Sequence, residues 1–127
     1  TALFPDTKEV LQYLTGKGYA LHMITNGFEE VQHSKLKNSG LTSFFGAVIT
    51  SEGSNSLKPE KEIFEFALKR AKAGVEESIM IGDTLDVDIL GARNIGMDGV
   101  HVNFDKLPQH FTPTYTINSL KELEDIF

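Results

Sequence analysis

The order of the apolar runs constrains this chain more than any other feature. Short, continuously apolar stretches alternate with longer ones whose apolar residues recur every three or four positions. "YALHMIT" (19–25), "GAVIT" (46–50), "SIMIG" (78–82) and "GVHVNF" (99–104) are the short runs, and "YTI" (115–117) reads as one more strand. Strands without polar alternation are expected to be covered on both faces, as in a parallel sheet. The intervening segments read as helices. Asp6 is expected to cap the first, with Glu9 in its first turn, Val10, Leu11 and Leu14 on one face, and Gly16 and Gly18 ending it. "EEVQHSKLKNSG" (29–40) closes at Gly40. "PEKEIFEFALKRAKAG" (59–74) places Pro59 at the first helical position, turns Ile63, Phe64, Ala67 and Leu68 inward, and stops at Gly74. "LDVDILGARNIG" (85–96) is a helix, and Ser119 with Glu122 makes a capping box on a last one carrying Leu120, Leu123 and Phe127. Helices between buried strands predict an α/β fold of three layers, a parallel sheet with helices on both faces. No repeat or second domain is evident, and "NFDKLPQHFTPTY" (103–115) is the loosest stretch, read as a loop.

Composition narrows the partners. The 127 residues suffice for one small domain with a real core, and 40% of them are apolar. Eighteen acids against twelve bases give a net charge of −6, which would repel a nucleic-acid polymer. Cysteine is absent, so no disulfide or thiolate chemistry is available. No apolar run approaches the roughly 20 residues of a membrane span, and none reads as a signal peptide, so no membrane partner and a cytoplasmic setting are expected.

Parallel sheets bind ligands beyond the carboxyl ends of their strands, and the unusual residues fall there. Strand 19–25 ends in Thr25-Asn26-Gly27, strand 78–82 ends in Gly82-Asp83, and Lys58 precedes Pro59 at a helix start. Asp86 and Asp88 lie in a first helical turn, where the helix dipole alone favours carboxylates, but Asp83 precedes that helix and needs another reason. Hard oxygen donors without Cys or a nearby His suit Mg²⁺ better than zinc. Thr25 and Asn26 are ordinary capping types, yet a hydroxyl followed by backbone N–H groups at a helix start also makes a phosphate cradle. Lys58 is either a solvated lysine or a point charge aimed at an anion. Together these residues are the parts for phosphoryl transfer. His22, His33, His101 and His110 read as structural, and Ser51, Ser54 and Ser56 find no triad partners.

"ITNG" (24–27), "LKPE" (57–60) and "GDTLDVDILGA" (82–92) resemble, in order and spacing, the second, third and fourth motifs of the haloacid dehalogenase-like hydrolases. The likeness runs from about Leu3 to Phe104 and is greatest to small phosphatases resembling pyrimidine 5′-nucleotidases. It implies a Rossmann-like core in which Thr25, with Asn26 and Gly27, binds the phosphoryl group. Lys58 then neutralises nucleophile and phosphate, and Asp83 and Asp88 form the Mg²⁺ motif. Asp83 is the expected direct ligand, while Asp88 binds through water or holds Lys58. The implied reaction is Mg²⁺-dependent hydrolysis of a small phosphorylated metabolite, such as a nucleoside 5′-monophosphate, through an aspartyl-phosphate.

The resemblance also implies something this sequence lacks. The family's first motif, an Asp-x-Asp at the end of an apolar strand, has no counterpart, since "FPDTKEV" holds one Asp before a helix. Residues 1–127 are therefore expected to be a partial core domain that begins near the return from a cap, is inactive alone, and has the rest of the parent chain as its partner. The expected strand order is 5-4-1-2-3 with strand 1 missing, so strands 19–25 and 78–82 should not be hydrogen-bonded neighbours. A metal-free dehalogenase, a phosphomutase and a non-catalytic binding fragment are the alternatives, and Asp83 argues against the first.

Overall fold

All the strand pairings are parallel, as connections through helices require. In the computed structural model, residues 6–127 are described. Strand β1 (Leu21–Thr25) pairs β2 (Phe45–Thr50), with Thr25 opposite Thr50. Strand β3 (Ile79–Gly82) pairs β4 (Asp98–Val102), which pairs β5 (Tyr115–Ile117). The described strands thus form a two-stranded and a three-stranded sheet, with no ladder between β1 and β3. The order across the two sheets remains an expectation, as does any strand between them. Thr1 and the Leu3-Phe4-Pro5 run lie outside the described residues.

Helices cover both faces. On one, α4 (Lys61–Ala71) and α5 (Leu90–Asn94) bury Ile63, Phe64, Ala67 and Ala92 against Ala47 and Ile49 of β2, with Met97 beside them. On the other, Val10 and Leu14 of α1 (Thr7–Gly16) and Leu123 of α6 (Leu123–Ile126) pack on Val100, Val102 and Ile117. Partly buried residues of β1 and β3 join both clusters, so packing spans the two sheets. Phe64 is fully buried, and a Cβ on Gly91 would stand 2.4 Å from its ring, so glycine lets α5 approach α4.

Several sequence expectations need correction. Strands β1 and β3 send side chains to the clusters on both faces, as expected, but are only half-buried along their whole length; among the described residues each has one strand neighbour. Asp6 precedes α1 but caps nothing with its side chain. It adopts the left-handed conformation (φ 65°), whereas a capping side chain reaches back from an extended one. Pro59 lies before α4, which starts at Lys61. The Glu60 carboxylate accepts from Leu57 N at 2.7 Å and from Ser56 Oγ at 3.1 Å, closing a turn ahead of the helix. That helix ends at Ala71 and not at Gly74, because Lys72 takes the left-handed terminal position (φ 55°). Residues Ser51–Ser54 form one helical turn, α3, capped by Thr50 Oγ1 accepting from Gly53 N at 2.9 Å. The segment 85–96 opens as a π-turn (Leu85–Ile89) before α5. The Ser119–Glu122 capping box is present, on a short 3₁₀ turn (Leu120–Glu122) leading into α6.

Candidate active site at the strand tips

Each predicted residue leaves the carboxyl end of a strand or the start of a helix, and hydrogen bonds join most of them. Gly82 ends β3 and Asp83 follows it into solvent. The chain then folds over itself in the π-turn, where Asp88 N donates to Thr84 O at 2.8 Å. This wide turn brings Asp88 back above the strand it left. A Cβ on Gly82 would fall 2.4 Å from Asp88 Oδ2, so only glycine admits the carboxylate there.

Asp88 is buried, with its side chain 6% exposed, and it is fully partnered. Lys58 Nζ donates to Oδ1 at 2.6 Å and Thr84 N to Oδ2 at 3.3 Å. The Lys58 side chain is itself only 14% exposed. A buried carboxylate without this ammonium would carry an uncompensated charge, at a cost of about 3–5 kcal/mol. Asp83, by contrast, is exposed, and its Oδ1 accepts from Thr84 Oγ1 at 3.2 Å. Thr84 therefore bridges the two acids, giving its N–H to one and its hydroxyl to the other.

Asn26 connects the tip of β1 to the same cluster. Its Oδ1 accepts from Lys58 N at 2.8 Å, and its Nδ2 donates to Lys58 O at 3.3 Å. This two-point grip fixes the backbone from which the Lys58 side chain reaches Asp88. Thr25 precedes it, half-buried at the end of β1. Gly27 is placed differently from the phosphate-cradle expectation: its N–H already donates to Ser51 Oγ at 2.8 Å, and Ser51 Oγ donates back to Gly27 O at 3.1 Å. Glu29 N likewise donates to Glu52 Oε1 at 2.9 Å. Glu29, Glu30 and Glu52 crowd the start of α2 (Glu29–Ser39), a setting that disfavours an anion beside the helix end.

Three residues of this site were missed in the sequence: Ser51, Thr84 and His101. Ser51 and Thr84 act through polar atoms too common to stand out. His101, in β4, is 4% exposed and places Nε2 3.3 Å from Asp83 O and Nδ1 2.6 Å from Gln109 Oε1. Gln109 belongs to the 103–115 loop, which is better held than its composition suggests. Asn103 Nδ2 donates to Leu107 O and Leu107 N to Asn103 Oδ1, both at 2.9 Å, and His110 meets Asp86. Asp86 thus faces the loop and not the acid pair.

For a metal, the donor chemistry is hard and oxygen-only. Asp83 is an exposed carboxylate, whereas both Asp88 oxygens already have partners. No cluster of three potential ligands occurs among the described residues. One free carboxylate fits an ion such as Mg²⁺, which keeps most of its waters and takes one or two carboxylates plus substrate oxygens. No helix among the described residues is long and apolar enough to cross a membrane.

Comparison with known proteins gives the family of the chain. The family model for haloacid dehalogenase-like hydrolases matches residues 1–96. A glyceraldehyde 3-phosphate phosphatase of Methanocaldococcus jannaschii is 38% identical over 126 residues, covering 97% of this chain and 55% of that protein. A pyrimidine 5′-nucleotidase of Escherichia coli is 34% identical over 125 residues, covering 96% of this chain and 55% of that protein. The crystal structure of the Bacillus subtilis HAD-hydrolase YfnB bound to magnesium superposes with a TM-score of 0.90 at 33% identity, covering 95% of this chain and 54% of that one. The chain spans about half the length of the curated relatives it matches.

Proposed function

Because the chain belongs to the haloacid dehalogenase-like hydrolases, we propose that it is part of the core of a Mg²⁺-dependent phosphomonoesterase working through an aspartyl-phosphate. The Lys58–Asp88 pair carries this reading: a nearly buried ammonium held 2.6 Å from a carboxylate, one residue pair away from the exposed Asp83. That geometry supports a fixed positive charge beside an acid that remains free for a cation. The nucleophile is assigned to an Asp-x-Asp segment of the parent chain, on a strand between β1 and β3. The separate sheets of those two strands support that place.

In this scheme Thr25 donates its hydroxyl to a phosphoryl oxygen, and Lys58 neutralises charge on nucleophile and phosphate. Asn26 positions Lys58 through its backbone. Asp88 orients the ammonium, and Asp83 is the direct ligand. Bound Mg²⁺ supplies charge stabilisation for the phosphoryl oxygens. The Gly27 N–H is left out of the cradle because Ser51 holds it. The substrate class is a small phosphoester. The phosphatase and nucleotidase relatives support sugar phosphates and nucleoside 5′-monophosphates as the first candidates.

The test is hydrolysis of p-nitrophenyl phosphate by the full-length parent, with Mg²⁺ and with a chelator. Turnover that falls to background with the chelator and returns with Mg²⁺ is expected. Undiminished turnover without the metal, or turnover of 2-haloacids instead, would overturn the proposal.

A further inference from the structure

We propose that His101 is a positioning residue for Asp83, holding the Asp83–Thr84 peptide from the side opposite Asp88. The inference rests on the reading of Asp83 as the metal ligand. Asp83 is exposed, and among the described residues its side chain has no hydrogen bond beyond that to the hydroxyl of its neighbour Thr84. Its direction is therefore inherited from the backbone, and Gly82 before it is the residue least able to restrain that backbone.

Two hydrogen bonds supply the restraint. The Asp83 carbonyl can only accept, so His101 Nε2–H donates to it across 3.3 Å. The other end of the same peptide, Thr84 N–H, donates to Asp88 Oδ2, also at 3.3 Å. A peptide unit is planar, and in its trans form the C=O and N–H point opposite ways. Holding both ends fixes the plane, and with it the direction in which the Asp83 side chain leaves the chain. Asp88 is anchored in turn by Lys58, and His101 by its burial in β4 and by Gln109. With Nε2 protonated, Nδ1 can only accept, so the Gln109 amide turns its NH2 group toward it; the same group lies 3.1 Å from Thr116 Oγ1, and β5 thereby fixes the amide that meets the imidazole. The loop that looks least structured in the sequence thus helps aim the metal acid.

Outer partners of metal ligands typically alter metal affinity by about 10–100-fold when removed. The experiment is a calorimetric titration of Mg²⁺ into the full-length parent without substrate, alongside steady-state kinetics at saturating Mg²⁺. His101→Ala is expected to weaken Mg²⁺ binding at least about 10-fold, with KM for the phosphoester at saturating metal unchanged. His101→Gln, whose amide nitrogen reaches the Asp83 carbonyl, is expected to recover most of the affinity. Gln109→Ala should shift it in the same direction by less. If His101→Ala does not fold, His101→Asn replaces it, since its shorter amide does not reach that carbonyl. Mg²⁺ affinity unchanged in the folded Ala or Asn variant, or equal in Gln and Ala (or Asn), would overturn the role of His101 alone. Wild-type turnover that needs no Mg²⁺ would overturn the metal reading of Asp83, and this inference with it.

Discussion

The carboxylate of Asp88 occupies the space a side chain on Gly82 would need, with Oδ2 2.4 Å from the position of a Cβ there. Gly82→Ala is therefore expected to push Asp88 off Lys58 and Thr84. Overpacking costs typically 1–3 kcal/mol, and the lost charge partner adds to it. Denaturant unfolding should show a loss at or above the top of that range. A variant within 0.5 kcal/mol of wild type would mean that the π-turn simply shifts aside.

Removing the ammonium tests the pair from its other end. Lys58→Met leaves Asp88 buried and unpaired, and a loss of about 3–5 kcal/mol is expected. In the full-length parent, turnover should fall roughly 100-fold or more, by analogy with loss of a preorganised charge partner. The double variant Lys58→Met/Asp88→Asn should regain much of the stability and none of the activity. Equal stability of the single and double variants would show that the pair is not coupled.

Asn26 offers a milder change. Asn26→Ala deletes both hydrogen bonds to the Lys58 backbone while leaving the ammonium in place. At about 0.5–1.5 kcal/mol per bond, a loss of roughly 1–3 kcal/mol is expected. Because the residue positions Lys58, kcat should fall by more than KM changes. A pure KM effect would instead make Asn26 a substrate contact.

His22 gives the fold a pH dependence. It is half-buried beside Gly46, its Nδ1 has no partner among the described residues, and burial pushes its pKa below the ordinary value of 6.5. The unfolded chain therefore binds the proton first. This contribution to stability is complete above about pH 6.5 and is lost as pH falls from there through the lower folded value. Thermal unfolding between pH 8 and pH 5 should show the decline, and His22→Gln should flatten it. An unaltered profile in that variant would assign the slope to other groups.

The sequence announced the strand tips because their residues break a pattern. An acid directly after an apolar strand and a glycine, as at Gly82-Asp83, has no structural reason of its own, and Lys58 before a helix start is similarly conspicuous. What spacing could not show was which atoms would already be taken. Ser51 claims the Gly27 N–H, and Asp88, expected either to bind the metal through water or to hold Lys58, holds Lys58. These depend on where α3 and the π-turn return in space, and no local preference encodes that. The early end of α4 and the missing side-chain cap of α1 have a simpler cause: Lys72 and Asp6 adopt left-handed conformations that propensity assigns to glycine.

The split between the sheets also bears on how the molecule breathes. Among the described residues, β1, which ends at Thr25, and β3, which leads into Asp83, each have a ladder along one edge only, so about every second amide of these strands lies outside any ladder. Those amides should exchange with deuterated solvent ahead of those of β4, which is laddered on both edges and has most of its length buried. The chemistry would then sit along an easily exchanged line of the fold, and occupation of that line by an extended segment would appear first as slowed exchange in β1 and β3.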